Sequence, residues 1–508
     1  MYRQARYDEP CIFEMGRKGT RGHFVPKVEK KIRDTAGDGW SYIPRNMRRK
    51  RPPDIPELSE VEVMRHFFRL SQESTCVDSG FNAEGTCTMK YNPKVNEILA
   101  GSSKVAELHP LQDEESVQGM LEILYRLGEC FKAISGFDAV SFQPPSGTLS
   151  EFTECLIIAA YHKHKGNHHK TDLIVPYTSH GTNAVSAKMA GFNVVTIDQT
   201  DDGNLDLDAL KVAVTDRTAG MIQTNPTSLS VFDPNLVAMA DMIHEAGGIF
   251  AYDAANTNSV MGRIKPKDLK FDLVHYNLHK AFSSPHGGYG PGMGVVVVSE
   301  ELAPFLPSPV VALEGKHYFF DFDRPLSIGR IKQFYGNVPN AIRGYAWILA
   351  MGSGGIAAAT DIAVLNNNYL LHKLKKIRGI TVPMADGRTR MEETVYSLKE
   401  MLKETGIDPH HFVLRIADFG PNSTFTLGYP PYVEEPWVIE PTESLDKDEI
   451  DNFIEIVRRV ADEAYENPEV ISNGPQNCAV GEIDMAASEA PETMALTWRM
   501  YRKKGLKF

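Results

Sequence analysis

The chain has 508 residues, of which 42% are hydrophobic and 24% charged, with a formal net charge of −12. That length implies two or three folding units, and the composition is that of a soluble globular protein. The negative charge excludes a general nucleic-acid binder and a module that docks on an anionic membrane, since both need a positive surface.

No apolar run approaches the length that spans a bilayer. The opening, Met1-Tyr2-Arg3-Gln4-Ala5-Arg6-Tyr7-Asp8, lacks the apolar core of a secretory signal. Six cysteines (Cys11, Cys76, Cys87, Cys130, Cys155 and Cys478) are scattered without metal-ligand spacing, and no metal site is expected. Reduced thiols and a cytoplasmic location follow. Cys87, among polar residues and glycine, reads either as a reactive thiol or as a quiet one.

Residues 1–57 are polar and rich in Arg, Gly and Pro, with a basic run at Arg45, Arg48, Arg49, Lys50 and Arg51. They read as an extended arm, either a solvated linker or a wrap around a partner subunit. Ser59-Glu60-Val61-Glu62 has the form of a capping box and starts a helix. From about residue 110 the pattern becomes α/β. A helix is expected over 116–134, a strand over 139–142 and a helix over 151–163. Further strands are expected at 172–176, 193–197, 219–223, 248–252, 272–276 and 294–298, with helices at 183–190 and 235–246. Buried strands alternating with helices imply a mostly parallel sheet covered on both faces, with its active site at the carboxyl ends of the strands. Beyond residue 339 the sequence predicts a smaller α+β domain, with helices at 341–351, 356–374 and 447–466 and a strand at 412–416. The division is therefore an arm at 1–57, a large α/β domain at 58–339 and a small domain at 340–508.

Five features fall after successive strands. Asn277-Leu278-His279-Lys280 precedes a glycine-rich stretch, and a lysine there can form an imine with an aldehyde cofactor or be an ordinary surface lysine. Asp253 follows the apolar strand at 248–252. It can pair with a pyridine nitrogen or simply cap a helix. Ser146-Gly147-Thr148 opens a helix, where N–H groups bind phosphate or the serine only caps. His180, in Ser179-His180-Gly181-Thr182-Asn183, can stack on a flat ring or sit as a loop histidine. Asn225, in Thr224-Asn225-Pro226-Thr227, can contact a phenolic oxygen or serve a turn. Asp253 and Lys280 lie 27 residues apart (280 − 253), which suits adjacent parallel strands joined by one helical crossover. Together the five point to pyridoxal 5'-phosphate held on Lys280.

At these residues the sequence resembles the glycine-cleavage P-protein family, in particular subunit 2 of its split form. The strings that carry the resemblance include Gly85-Thr86-Cys87-Thr88-Met89-Lys90-Tyr91-Asn92-Pro93-Lys94, His180-Gly181-Thr182-Asn183, Asn277-Leu278-His279-Lys280, Pro285-His286-Gly287-Gly288 and Ile439-Glu440-Pro441-Thr442-Glu443-Ser444. The resemblance implies a fold-type-I pyridoxal-phosphate architecture and decarboxylation of glycine. It also implies transfer of the aminomethyl group to the lipoyl group of an H-protein, and a two-plus-two assembly with a subunit 1. It adds Asn277 and His279 to the cofactor contacts and gives Lys280 and His180 the catalytic roles. Three histidines of the family pattern are replaced, at Ser146-Gly147-Thr148-Leu149-Ser150-Glu151, at Glu392-Glu393-Thr394 and at Gly420-Pro421-Asn422-Ser423. That leaves two rivals: a paralogue acting on another amino acid or carrier, and a non-catalytic scaffold subunit.

Overall fold

The computed structural model describes residues 2–22, 27–37, 39–51, 53, 55–82, 90–286, 292–422, 427–495 and 497–505. Cys87, the glycine run at 287–291 and Ser423 lie outside the described residues.

Seven strands form the main sheet: β1 (Ala139–Ser141), β2 (Asp172–Pro176), β3 (Asn193–Ile197), β4 (Thr218–Thr224), β5 (Ile249–Ala254), β6 (Leu273–Asn277) and β7 (Gly294–Val298). Their order is β1-β7-β6-β5-β4-β2-β3. From β6 to β3 all neighbours are parallel, and β7 runs antiparallel to both β6 and β1. This is the α/β sheet that the sequence implies. Every residue of β2, β5, β6 and β7 is buried, which is why these strands read as unbroken apolar runs rather than alternating ones. Successive residues of β5 face opposite sides. Phe250 and Tyr252 join a core with Phe131, Phe142 and Tyr276. Ile249 and Ala251 join a second core with Ile157, Ile158 and Leu173. Each large apolar side chain so buried contributes about 1.5–3 kcal/mol.

The helix Gly147–His164 packs against the second of these cores. Its low amphipathicity has a physical reason: polar Glu151, Thr153 and Glu154 are buried along with Ile157 and Ile158. Two smaller antiparallel pairs complete this part of the chain, Val310–Glu314 with His317–Asp321 and Thr394–Ser397 with Pro436–Ile439.

Three local expectations fail. Residues 412–416 are not a strand but part of the helix Pro409–Ala417, whose buried Phe412, Val413 and Ile416 recur at helical spacing. A five-residue apolar run fits either period, and only its packing decides. The link from β5 to β6 holds a 3-10 turn, Pro266–Leu269, instead of a helical crossover. Finally, the helix Val338–Leu374 is long and apolar enough to cross a membrane by length and composition, contrary to the expectation of no such run. Its backbone breaks at Gly352 (φ 60°, ψ 179°). Its buried polar groups are spent on protein: Asn367 Nδ2 donates to the carbonyls of Met391 (2.9 Å) and Glu393 (2.8 Å), and Thr360 Oγ1 donates to that of Met261 (2.7 Å).

By contact the chain forms two compact units. One comprises residues 1–75, 418–420 and 473–508, and the other residues 76–417 and 421–472. This grouping crosses the three-way division at 57/58 and 339/340. In the first unit the N-terminal segment is more than an extended arm. It carries the helix Lys30–Ala36 and is tied to the chain's last segment, where Arg6 donates to the Cys478 carbonyl (2.8 Å). The helix Glu60–Gln72 has the expected capping box, with Glu62 N–H donating to Ser59 Oγ (3.3 Å) and Ser59 N–H to Glu62 Oε2 (2.8 Å).

Candidate active site

The site grows from three adjacent strands in register. Thr224 of β4 pairs with Asp253 of β5, and Asp253 pairs with His275 of β6. The two-residue period of a strand turns Asp253 to the same side as Ala251 and Ile249, toward the helix Gly147–His164. His275 shares that side with Leu273.

Four groups surround the Asp253 carboxylate, which is 3% exposed. Asn183 Nδ2 (2.9 Å) and Thr224 Oγ1 (2.8 Å) donate to Oδ2, and the Ala255 N–H (3.1 Å) donates to Oδ1. His275 Nε2 lies 3.2 Å from Oδ1, an ion-pair contact without hydrogen-bond alignment. Burial pushes the Asp253 pKa up, but the His275 cation and the donated hydrogen bonds outweigh it and hold the group well below the usual carboxylate range. His275 is fully buried, and its Nδ1 lies 2.9 Å from Glu154 Oε2. Burial lowers its pKa, yet the two flanking carboxylates raise it well above the ordinary value. Glu154 and Glu151 are both pushed up to about 7 by burial. Glu151, Asp253 and His275 bring ligand atoms within 4.8 Å of one another, but both ring nitrogens of His275 already face carboxylates.

Lys280 stands three residues past the end of β6 and is half-buried. Among the described residues its ammonium makes no hydrogen bond or ion pair, so the amine is not committed elsewhere. Three carboxyls feel its charge: Glu392, Glu393 and Glu440. All three have raised pKa values, burial being the largest cause and Lys280 a lowering one. Glu440 accepts from Asn256 Nδ2 (2.9 and 3.0 Å) and Asn258 Nδ2 (2.9 Å). Ser259 Oγ donates to Glu392. Lys90 Nζ donates to Glu443 (2.6 Å) and lies 4.6 Å from the centre of the Trp347 ring.

The remaining candidates fall as follows. Ser146 is the N-cap of Gly147–His164, accepting from Leu149 N–H (3.3 Å). Gly147 and Thr148 begin that helix, where N–H groups lack partners within the helix. A Cβ at Gly147 would stand 2.6 Å from Asn277 Nδ2, so only glycine lets the helix end approach β6 this closely. Asn277 is buried, with Oδ1 unpartnered. Asn225 Oδ1 accepts from Asp233 N–H (2.8 Å), while its Nδ2 is buried with no acceptor. His180 caps the helix Gly181–Met189 and meets Thr182 through Nδ1 (2.6 Å to Oγ1). Solvent reaches it, and the enclosing protein and the Lys280 charge lower its pKa. His279 is turned to the backbone: its Nδ1 accepts from Met293 N–H (3.2 Å), and burial depresses its pKa to about 3.

Relatives extend across the whole chain. A chain of Pyrococcus abyssi described as "Probable glycine dehydrogenase (decarboxylating) subunit 2" is 44% identical over 506 residues, covering 99% of this chain and 98% of that one. The chain belongs to the glycine dehydrogenase (decarboxylating) subunit 2 family. A member of that family from Caldanaerobacter subterraneus subsp. tengcongensis is 43% identical, with 93% of this chain and 96% of that one covered. The family model "Glycine dehydrogenase, C-terminal domain" matches residues 359–479, and "Aminotransferase class-V" matches residues 149–394. Among solved structures, glycine decarboxylase (P-protein) of the glycine cleavage system superposes with a TM-score of 0.72 at 18% identity, covering 86% of this chain and 100% of that one. The glutamate decarboxylase of Lactobacillus brevis superposes with a TM-score of 0.63 at 14% identity, covering 84% and 96%.

The cofactor of this family fold is pyridoxal phosphate, and the residues present fit it. There is an uncommitted amine, a buried anion one strand away, a glycine-led helix end and the unpartnered Nδ2 of Asn225. A carboxylate accepts about four hydrogens, and Asp253 accepts three here, from Asn183, Thr224 and the Ala255 N–H, which leaves room for a ring N–H. Sequence reasoning missed His275, Glu154, Glu151, Thr224 and the glutamates near Lys280. The available signal was a histidine inside an apolar strand, together with two glutamates three apart on a buried helix.

Proposed function

We propose that the chain is the cofactor-bearing half of a glycine decarboxylase that works with a subunit 1 and passes the aminomethyl group of glycine to the lipoyl disulfide of an H-protein. The observation that carries this reading is the uncommitted Lys280 amine beside β5, whose Asp253 is held as a buried anion, in a chain so closely related to that family over its whole length. Pyridoxal phosphate, when bound, supplies an aldehyde that condenses with amines and a ring that takes up the electrons left when a carboxylate departs.

The protein's own part is positioning and charge. Asp253 offers the ring nitrogen a fixed negative partner. The N–H groups of Gly147 and Thr148 offer the phosphate a helix N-terminus. Asn225 Nδ2 is a spare donor for the phenolic oxygen. Lys280 would hold the cofactor when no substrate is bound, and its Nζ is placed to accept or return a proton. Burial raises the pKa values of Glu392, Glu393 and Glu440, which lessens the negative charge they place beside an incoming carboxylate.

The test is exchange of labelled bicarbonate into the carboxyl of glycine by the purified chain, its subunit 1 and lipoylated H-protein. Exchange that requires all three supports the reading, and none in the assembled complex refutes it. A second reading is favoured by Glu392, buried and bonded to Ser259 where the family pattern has histidine: a paralogue with another amino acid as substrate. A screen of amino acids for change in the cofactor's visible absorbance decides between them, and glycine giving the strongest response removes the paralogue.

A further inference from the structure

Beneath the Asp253 carboxylate lies a second layer that the reaction as described does not use. His275 is wedged between Asp253 Oδ1 (3.2 Å from Nε2) and Glu154 Oε2 (2.9 Å from Nδ1), and all three side chains are cut off from solvent. They come from three separate elements, β5, β6 and the helix Gly147–His164, so the line is built by the fold and not by a local turn. Burying one carboxylate in apolar surroundings is costly, and burying two is sustained only by a cation between them.

The charges sum in an informative way. Asp253 as an anion and His275 as a cation cancel, and Glu154, whose pKa burial raises to about 7, adds negative charge only to the extent that it is ionised. Glu151, the next group inward, has an unpartnered Oε2 and adds none while protonated. Among the described residues, the other titratable groups that feel Asp253 include His180 (which follows β2 and also feels Lys280), Tyr429 and the buried Tyr252 of β5. What the geometry fixes is that the face of Asp253 away from His275 is where a protonated ring nitrogen would find a negative partner, with the imidazole backing it from the other side.

We propose that His275 is a positioning residue that holds Asp253 ionised for the ring nitrogen of the bound cofactor, with Glu154 as the counter-charge that keeps the imidazole a cation. This rests on the cofactor assignment above but not on glycine as substrate. His275 touches no reacting atom and acts through Asp253. Take away the cation and a carboxylate buried among Asn183, Thr224 and apolar side chains gains a proton of its own. It then cannot stabilise one on the ring.

The test reads the ring nitrogen directly. The full chain is loaded with pyridoxal phosphate labelled with nitrogen-15 in the ring, and its protonation is followed by solid-state NMR as pH is raised, in wild type, His275→Asn and Glu154→Gln. The expected result is a protonated nitrogen in wild type and an affinity for that proton at least about tenfold lower in both variants. A role confined to packing would weaken cofactor binding yet leave the bound nitrogen protonated, and that outcome overturns the proposal. If His275→Asn does not fold, the near-isosteric Glu154→Gln decides alone by the same criterion. A wild-type chain that takes up no cofactor, seen as no visible absorbance band, overturns this proposal and the cofactor reading together. A wild-type band with an unchanged nitrogen in the variants overturns this proposal only.

Discussion

Replacing Gly147 with alanine tests whether the helix end at Ser146 is built for an anion or is an ordinary start. The new Cβ would lie 2.6 Å from Asn277 Nδ2 and 3.1 Å from its Oδ1. Ordinary contact needs roughly 3.5 Å, so the buried amide or the helix end must move by roughly 0.9 Å. Overpacking of this kind costs about 1–3 kcal/mol. Alanine recovers up to about 1 kcal/mol in helix preference, which leaves a net loss of about 0–2 kcal/mol. Gly181 is the matched control, since it also opens a helix and no atom lies within 4 Å of its added Cβ. Gly181→Ala therefore folds at least as stably as wild type. The assays are thermal melting of the two variants and titration of each apoprotein with pyridoxal phosphate by visible absorbance. Gly147→Ala is expected to melt lower than Gly181→Ala and to bind cofactor about tenfold more weakly, because the displaced N–H groups no longer converge on the phosphate. If Gly147→Ala melts with its control and binds as wild type does, the close approach carries no function and the plain capping role of Ser146 is sufficient.

Lys280→Ala is expected to abolish covalent capture: borohydride reduction of the loaded wild type fixes cofactor to residue 280, read by peptide mass spectrometry, and a label on another lysine refutes the assignment. Asn225→Ala strands the buried Asp233 N–H that Asn225 Oδ1 accepts at 2.8 Å, a loss of about 1–3 kcal/mol read from denaturant midpoints. An unchanged midpoint contradicts it. Glu151 gives a pH test in the apoprotein. Its folded pKa of about 7 lies above the ordinary 4.5, so its contribution is complete below 4.5 and is lost as pH rises through about 7. Glu151→Gln is neutral throughout and gains in melting temperature relative to wild type between about pH 5 and about pH 8. A constant difference across that range refutes the raised value.

The strands of the main sheet were legible because full burial leaves apolar runs bounded by polar turns, and those from 172–176 to 294–298 match within two residues at each end. The pairing of Asp253 with the strand that leads to Lys280 was legible from spacing, although the expected helix between them is only a turn containing Pro266. The layer behind Asp253 was not legible. Glu154 and His275 lie 121 residues apart, and only the sheet order brings them together. Residues 412–416 were misread because a buried helical face and a buried strand have the same composition over five residues. The chain's last segment was assigned to the small domain, yet residues 473–508 cluster with the N-terminal ones. Bonds such as Arg6 to the Cys478 carbonyl leave no periodic trace in either segment.

Asp253 lies on β5 and Lys280 follows the neighbouring strand β6, so the two proposed anchors of the cofactor ring rise from one stiff lattice with a strand spacing of about 4.8 Å. A ring held there would rest on a fixed anvil. Any give that admits a substrate would then fall to segments outside this sheet, such as those that bear Glu392, just before the small two-stranded pair, and Glu440, just after it, while the bed beneath stays still.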